Sequence, residues 1–355
     1  MVTLFDPIQL GELRLPNRII MAPLTRCRAV DGRVPNALMA EYYAQRASAG
    51  LIVSEATAVT PMGVGYPNTP GIWSTAQIEG WKLVTRAVHE AGGRIFLQLW
   101  HVGRISHPSY LDGGLPVAPS AIAPKGHVSL IRPETPFGVP HALEPEEITS
   151  IVEAYRQGAE NARKAGFDGV EIHGANGYLP DQFLQSSTNH RTDRYGGSIE
   201  NRARFMLEVT DAAISVWGPG RVGVHLAPRC DAHDMGDDDP LATFSYVARE
   251  LGKRGIAFIF TREHRELPSL SSALKKAFGG PLIANEKFNK ERAMALLEAG
   301  EADAVSFGKL YIANPDLLER FRQDTELNRW DSQTFYGSTA EGYTDYPAIS
   351  GAVNQ

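Results

Sequence analysis

Residues 166–183 read GFDGVEIHGANGYLPDQF: a strand-like run passes into a turn that carries His173, Asn176 and Tyr178 within six positions. Seven other short runs share its β-like character. They are RIIMAPL (18–24), GLIVSEA (50–56), RIFLQLW (94–100), VGVHLAP (222–228), IAFIFTR (256–262), PLIANE (281–286) and AVSFGK (304–309). Most are apolar without alternation, as strands covered on both faces must be. Between them stand helix-patterned segments, among them residues 36–48, 75–91, 144–166 and 289–300. The last has apolar residues at helical spacing and Gly300 where a C-cap would sit. Eight covered strands, each followed by a helix, predict an α/β fold, the closed parallel (β/α)8 TIM barrel. An open doubly wound sheet is the rival, and the number of strand–helix units favours the barrel.

Two additions fit this plan. Residues 8–17 are patterned as a hairpin ahead of the first strand, placed to plug the bottom of the barrel. Residues 101–145 form a long Pro/Gly-rich excursion after strand three, on the C-terminal mouth where barrel active sites are built. No linker or low-complexity tract interrupts the chain, so residues 1–355 are expected to form one domain. The net charge of −6 comes without blocks of like charge, which argues against nucleic acid or an anionic membrane as partner. No apolar run is long enough to span a bilayer, and the N-terminus lacks a secretory pattern. Cys27 and Cys230 have neither redox nor metal spacing, so a reducing cytoplasmic setting is expected. Monomer and homodimer both stay open.

Inward polar residues in a packed barrel need a reason, because an uncompensated buried amide costs roughly 1–3 kcal/mol. Gln98 and Trp100 share strand parity, as do Pro23 and Thr25, and His225, Ala227 and Arg229. Each alone reads equally well as a satisfied core residue; their convergence on one mouth does not. Gly308 and Lys309 follow strand eight, where barrels commonly hold a phosphate: the glycine permits close backbone approach and the lysine offers charge. His173 and Asn176, three apart in a tight turn, can aim two donors at one carbonyl or nitro oxygen, and Tyr178 can supply a proton. Neither this triplet nor His101 with His107 completes a metal-ligand set, so no metal is expected.

Several stretches carry a resemblance that runs in order over nearly the whole chain. They are MAPLTRCRA (21–29), EYYAQRASAGLIVSEAT (41–57), GYPNTPGIWS (65–74), QLWHVGRISHP (98–108), HGANGYLPDQFLQSSTNHRTDRYGGSIENR (173–202), FGKLYIANPDL (307–317) and FYGSTAEGYTDYP (335–347). Together they resemble the old yellow enzyme family of FMN-dependent ene reductases, most of all its bacterial xenobiotic and N-ethylmaleimide reductases. The resemblance implies non-covalent FMN at the barrel mouth and NADPH or NADH as hydride donor. By position, Pro23, Leu24, Thr25, Ala56 and Gln98 would hold the flavin ring and His225 would face its N1–C2=O edge. Gly308 and Lys309 would take the phosphate. His173 and Asn176 would bind the substrate's activating oxygen, Tyr178 would donate the proton, and Tyr66, Trp100 and Tyr336 would line the pocket. The implied activity is reduction of the C=C bond of electron-poor alkenes; nitrate-ester or nitroaromatic reduction uses the same site. A metal-dependent barrel hydrolase and a non-catalytic flavin or phosphate binder are the rivals from other classes.

The chain departs from the family pattern in three places. His225 stands where an arginine is usual, which leads to the expectation that Arg229, on the same face, swings in to compensate. Lys309 replaces an arginine and loses its bidentate fork. Glu286 replaces a glycine after strand seven, so its carboxylate is expected to point away from a phosphate. Cys27 reads as a packed thiol. In TDRYGGSIENR, Ser198 is expected to cap a helix with Glu200 in its first turn.

Overall fold

The computed structural model describes residues 2–230, 232–263 and 268–349. Among them, eight parallel strands close on one another: β1 (Ile19–Met21), β2 (Leu51–Val53), β3 (Ile95–Trp100), β4 (Gly169–Gly174), β5 (Val222–Arg229), β6 (Phe258–Glu263), β7 (Leu282–Asn285) and β8 (Ala304–Phe307). Each pairs with the next, and Val305–Phe307 of β8 returns alongside Ile19–Met21 of β1. The outer ring is α1 (Ala37–Ala44), α2 (Thr75–Glu90), α3 (Pro145–Lys164), α4 (Ile199–Trp217), α5 (Pro240–Arg254), α6 (Ser271–Phe278), α7 (Lys290–Glu298) and α8 (Leu317–Gln323). The closed (β/α)8 barrel, and not the open sheet, is the fold.

Local chemistry sets these boundaries. Ser74 and Gln77 form a reciprocal capping box at the start of α2. Ser198 accepts the Asn201 N–H at 3.3 Å, and Glu200 follows in the first turn of α4. Gly300 adopts φ +69° just past α7, the left-handed conformation that ends a helix at little cost in glycine.

Strand parity sorts the side chains into layers. Ile19, Met21, Ile52, Leu97, Leu99, Val170, Ile172, Val224 and Leu226 face outward into one core with the helices. Ile20, Val53, Phe96, Phe258, Phe260 and Ile283 face inward and fill the lower barrel. The strands Ile8–Leu10 and Leu13–Leu15 form the expected hairpin, whose Ile8, Leu10 and Leu15 join that inner cluster and stopper it. Glycine makes room there: a Cβ at Gly169 would stand 2.3 Å from the Phe96 ring, and one at Gly223 2.3 Å from that of Phe258.

Two parity expectations fail for the same reason, departure from regular strand. β1 ends at Met21, so Pro23 and Thr25 lie in half-buried chain beyond it. The register of β5 on β6 shifts between Leu226, opposite Thr261, and Arg229, opposite Glu263. Three steps on β5 thus match two on β6, and Arg229 leaves the face it is expected to share with His225.

The 101–145 excursion carries only short structure: a turn of helix at Pro108–Tyr110 and a parallel pair, Val117–Ala118 with His141–Ala142. No helix among the described residues is long and apolar enough to cross a membrane.

Candidate active site

A tight turn at the top of β4 explains why imidazole, amide and phenol fall so close in sequence. Asn176 and Gly177 have φ +59° and +76°, and the Tyr178 N–H donates to the Ala175 carbonyl at 3.2 Å. Positive φ at both central residues is the type I′ requirement that Asn-Gly satisfies best. The reversal brings the Tyr178 ring edge-on to His173, with centroids 4.9 Å apart. The turn is clamped: the Gly177 N–H donates to Asp181 at 2.9 Å, and the Gln182 amide donates to the Gly177 carbonyl at 2.7 Å. Burial pushes the Asp181 carboxyl up to about 7.

Around this turn lies an aromatic wall. Tyr178 and Tyr66 are joined by a hydrogen bond between their hydroxyls at 2.9 Å. Trp100 packs on both rings, at 5.1 Å and 5.5 Å between centroids, and Ala56 belongs to the same buried cluster. Tyr66 and the half-exposed Tyr336 line a cavity of about 340 Å³ with residues of the 127–134 hairpin tip. The predicted pocket residues Tyr66, Trp100 and Tyr336 therefore meet at one side of the mouth.

The floor is polar and comes from inward positions of β3, β4 and β5. The Gln98 amide donates to Glu171 Oε1 at 2.7 Å and approaches His225 Nδ1 at 3.3 Å. A donor on Nδ1 makes that nitrogen the acceptor and leaves the proton of neutral His225 on Nε2. His225 and His173 stack with centroids 5.3 Å apart and planes 8° off parallel. Burial first, with Arg262 and His233, pushes His173 down to about 3, and burial holds His225 well below the ordinary imidazole range. Both rings are thus neutral donors. Burial pushes the Glu171 carboxyl up to about 8. His225 Nε2, His173 Nδ1, Trp100 Nε1 and Glu171 Oε2 are buried without a protein partner.

On the far side, Leu24 and Gly308 are neighbours: a Cβ at Gly308 would lie 3.3 Å from Leu24 Cδ2. Lys309 is exposed, its amine 6.0 Å from the Trp330 ring centroid. Thr25 and Pro23 sit beside them in half-buried chain. Cys27 is buried, and its thiol is pushed up to about 12 by that burial, in keeping with a packed role.

Two residues escape the sequence reading. Glu171 shares parity with His173, and Arg262 shares parity with Phe258 and Phe260, so the signal for both lies in strand alternation. Glu286, set apart in the sequence as a departure from the family pattern, has a partner on β6: its carboxylate accepts Arg262 Nε at 2.5 Å. Among the described residues, Arg262 lies at an inward position at the top of β6, whereas the register shift takes Arg229 off the face of His225. Residues 264–267, just past β6, lie outside the described residues.

The profile of the NADH:flavin oxidoreductase / NADH oxidase family matches residues 3–328. Morphinone reductase, solved in complex with tetrahydroNAD, is 51% identical and superposes with a TM-score of 0.96 over 100% of both chains. The old yellow enzyme homologue from Zymomonas mobilis is 46% identical with a TM-score of 0.96, over 98% of this chain and 100% of that one. A probable flavin mononucleotide-dependent alkene reductase of Leishmania infantum is 45% identical over 97% of each chain. 12-Oxophytodienoate reductase 7 of Oryza sativa subsp. japonica is 42% identical over 98% of this chain and 94% of its own. These relatives define the class, FMN-dependent barrel oxidoreductases of the old yellow enzyme type. The chain belongs to the NADH:flavin oxidoreductase / NADH oxidase family and is an NAD(P)H-dependent flavin oxidoreductase.

Proposed function

We propose that this enzyme reduces the C=C bond of electron-poor alkenes such as α,β-unsaturated carbonyls and maleimides, working as one barrel unit in the reducing cytoplasm. The observation that carries the reading is the Asn-Gly turn that gathers His173, Asn176 and Tyr178 at the top of β4. FMN, held at the mouth, would supply the hydride chemistry that links nicotinamide and alkene. Support for the fit comes from the chain's own atoms. His225 Nε2 and His173 Nδ1 are buried donors or acceptors without a protein partner, as a flat polar ring system beside them would require. Gln98 and His225 would meet that ring from β3 and β5, Pro23, Leu24, Thr25 and Ala56 would border it, and Gly308 with Lys309 would receive the phosphate.

His173 and Asn176 donate hydrogen bonds to the substrate oxygen. Negative charge grows on that oxygen as hydride reaches the β carbon, so donors fixed in advance stabilise the transition state more than the ground state. His173 suits this work because it stays a neutral imidazole, whose one N–H can donate without a change of charge at ordinary pH. Tyr178 gives its proton to the α carbon. Burial, then Tyr66 and Tyr336, hold its phenol well above the ordinary tyrosine range, so the proton stays until the carbon needs it. Trp100, Tyr66 and Tyr336 exclude water and orient the alkene. One hydride and one proton thus saturate the double bond as NAD(P)H becomes NAD(P)+.

Isotope placement tests the reading. With NADPH carrying transferable deuterium, 2-cyclohexenone should yield cyclohexanone labelled at the β carbon; in deuterated water the label should appear at the α carbon. Label at neither carbon, with nicotinamide consumed only when oxygen is present, would overturn it.

A further inference from the structure

Asn176 is a member of the triplet whose usefulness depends on which way a symmetric-looking group is turned. A carboxamide presents an acceptor on one side and two donors on the other. Only the donor side can serve a substrate oxygen, so something must choose it. The Asn176 backbone is fixed by the turn, with φ +59°, and its carbonyl accepts from His233 Nδ1 at 2.6 Å. That leaves the side-chain amide to be set by its own neighbours.

Among the described residues, two donors reach its oxygen: the Cys230 thiol, at 3.8 Å, and a closer one that comes from β6. Phe258, Phe260 and Arg262 alternate inward, and Phe260 packs on His225 with ring centroids 4.3 Å apart. One residue pair further up, Arg262 Nη1 donates to Asn176 Oδ1 at 2.8 Å. A guanidinium has donors and no acceptor, so it can hold only the oxygen of the amide. Turning the amide over would place its NH2 against a cation. The guanidinium is itself held, because its Nε donates to Glu286 Oε2 at 2.5 Å, just after β7. The Arg262 side chain is 30% exposed and that of Glu286 16%, so the pair is partly screened from water and its geometry is worth more than a surface ion pair's. Glu286, one of the chain's departures from the family pattern, thus acquires a partner on β6.

Resting on the reading of Asn176 as an oxygen donor, we infer that Arg262, anchored by Glu286, is a positioning residue that locks the Asn176 amide with its Nδ2 donors toward the substrate oxygen. The bond crosses from β6 to the β4 turn, and the anchor from β6 to the end of β7. Three corners of the mouth, at β4, β6 and β7, are fixed together before substrate arrives, so no reorientation is required at the moment charge develops. Arg262 also lies close enough to His173, His225 and Tyr178 to shift all three electrostatically, which places its charge in the same pocket.

A double-mutant cycle on the FMN-loaded enzyme tests this, with p-chlorophenol as probe. Its phenolate offers an oxyanion to the donor pair, and its electron-rich ring over the flavin is read as long-wavelength absorbance, independent of turnover. Flavin absorbance per mole of protein confirms that each variant has an assembled site. Arg262→Met should weaken the phenolate about tenfold in the wild-type background and by less than about twofold in the Asn176→Ala background. Arg262→Lys, which keeps a cationic donor for Oδ1, should recover most of the affinity. Equal losses from Arg262→Met in both backgrounds would overturn the inference, since Arg262 would then act by its own charge. No loss in the wild-type background would overturn it as well. If Asn176→Ala alone leaves phenolate affinity unchanged, the underlying reading of the oxygen site fails, and the inference falls with it.

Discussion

The hydroxyls of Tyr178 and Tyr66 lie 2.9 Å apart, and both rings pack on Trp100. A buried phenol so placed keeps its proton and has a partner that fixes its rotamer. Tyr178→Phe should therefore slow the alkene half of the cycle by about 10²–10⁴, the range for loss of a positioned general acid. The nicotinamide half needs no proton from Tyr178 and should stay within about twofold. Rapid mixing of each half separately decides the matter; equal slowing of both would remove Tyr178 from the role of acid.

In the proposed reaction, His173 and Asn176 act on negative charge that develops as the transition state is reached. Either residue changed to Ala should lower kcat/KM for 2-cyclohexenone by roughly 10²–10³, as when one oxyanion donor is removed. Steady-state kinetics on an alkene series gives a sharper reading. Loss should be greatest for ketones and smallest for alkenes with no acceptor oxygen, and a uniform loss would contradict the role.

Two pKa shifts define a pH window. His173 is pushed down to about 3 and Tyr178 stands well above the usual tyrosine value, so neither changes charge between pH 5 and 9. The alkene half-reaction, followed with nicotinamide-free, pre-reduced enzyme, should then show no inflection from either residue across that range; any inflection near pH 7 or 8 should belong to Asp181 or Glu171 and vanish in Asp181→Asn or Glu171→Gln. A step near pH 6.5 that persists in both variants would mean that His173 titrates as an ordinary imidazole.

Glu171 makes a stability prediction of definite sign. Its carboxyl is raised from 4.5 to about 8 by burial. The folded state therefore holds a proton that the unfolded state releases, and this contribution is complete below about pH 4.5. It declines as pH rises and is lost through about pH 8. Glu55 and Asp181 are also raised, to about 7 each, so the comparison must be a difference. The Tm of the wild type should fall from pH 5 to pH 9 by more than that of Glu171→Gln. Parallel curves would show that Glu171 is not a buried acid.

The hairpin stopper rests on one backbone position. Gly11 has φ +55°, and a Cβ there would stand 2.1 Å from the Gly220 carbonyl oxygen, which also accepts the Glu12 N–H at 3.0 Å. Gly11→Ala should destabilise by about 1–3 kcal/mol, combining the left-handed penalty with displacement of the contact. Urea unfolding measures it, with Gly92→Ala as a comparison: φ there is +79°, but a Cβ meets nothing within 4 Å.

Much of the architecture is legible in the sequence because it depends on local pattern. All eight strand runs, the hairpin at 8–17, the Ser198 cap and the Gly300 stop follow from periodicity and from residue chemistry within a few positions. What escapes is set by irregularity or by distance. A shift of register between Leu226 and Arg229 inverts the face of Arg229, and nothing in LAPR announces it. Pro23 and Thr25 pass as strand residues although β1 stops at Met21. Arg262 meets Asn176 across 86 positions and Glu286 across 24, contacts that exist only once the barrel closes. Alternation alone would have marked Arg262 and Glu171 as inward, but their runs look apolar enough to be taken for packing.

In the proposed cycle one mouth serves both the nicotinamide and the alkene. The visible spectrum of the purified protein under strict anaerobiosis, followed through one equivalent of NADPH and then 2-cyclohexenone, tests this. Two flavin bands should bleach with NADPH and return in full with the enone, with an equivalent of cyclohexanone formed. Bands that stay bleached in the presence of the enone, and return only when oxygen is admitted, would contradict it.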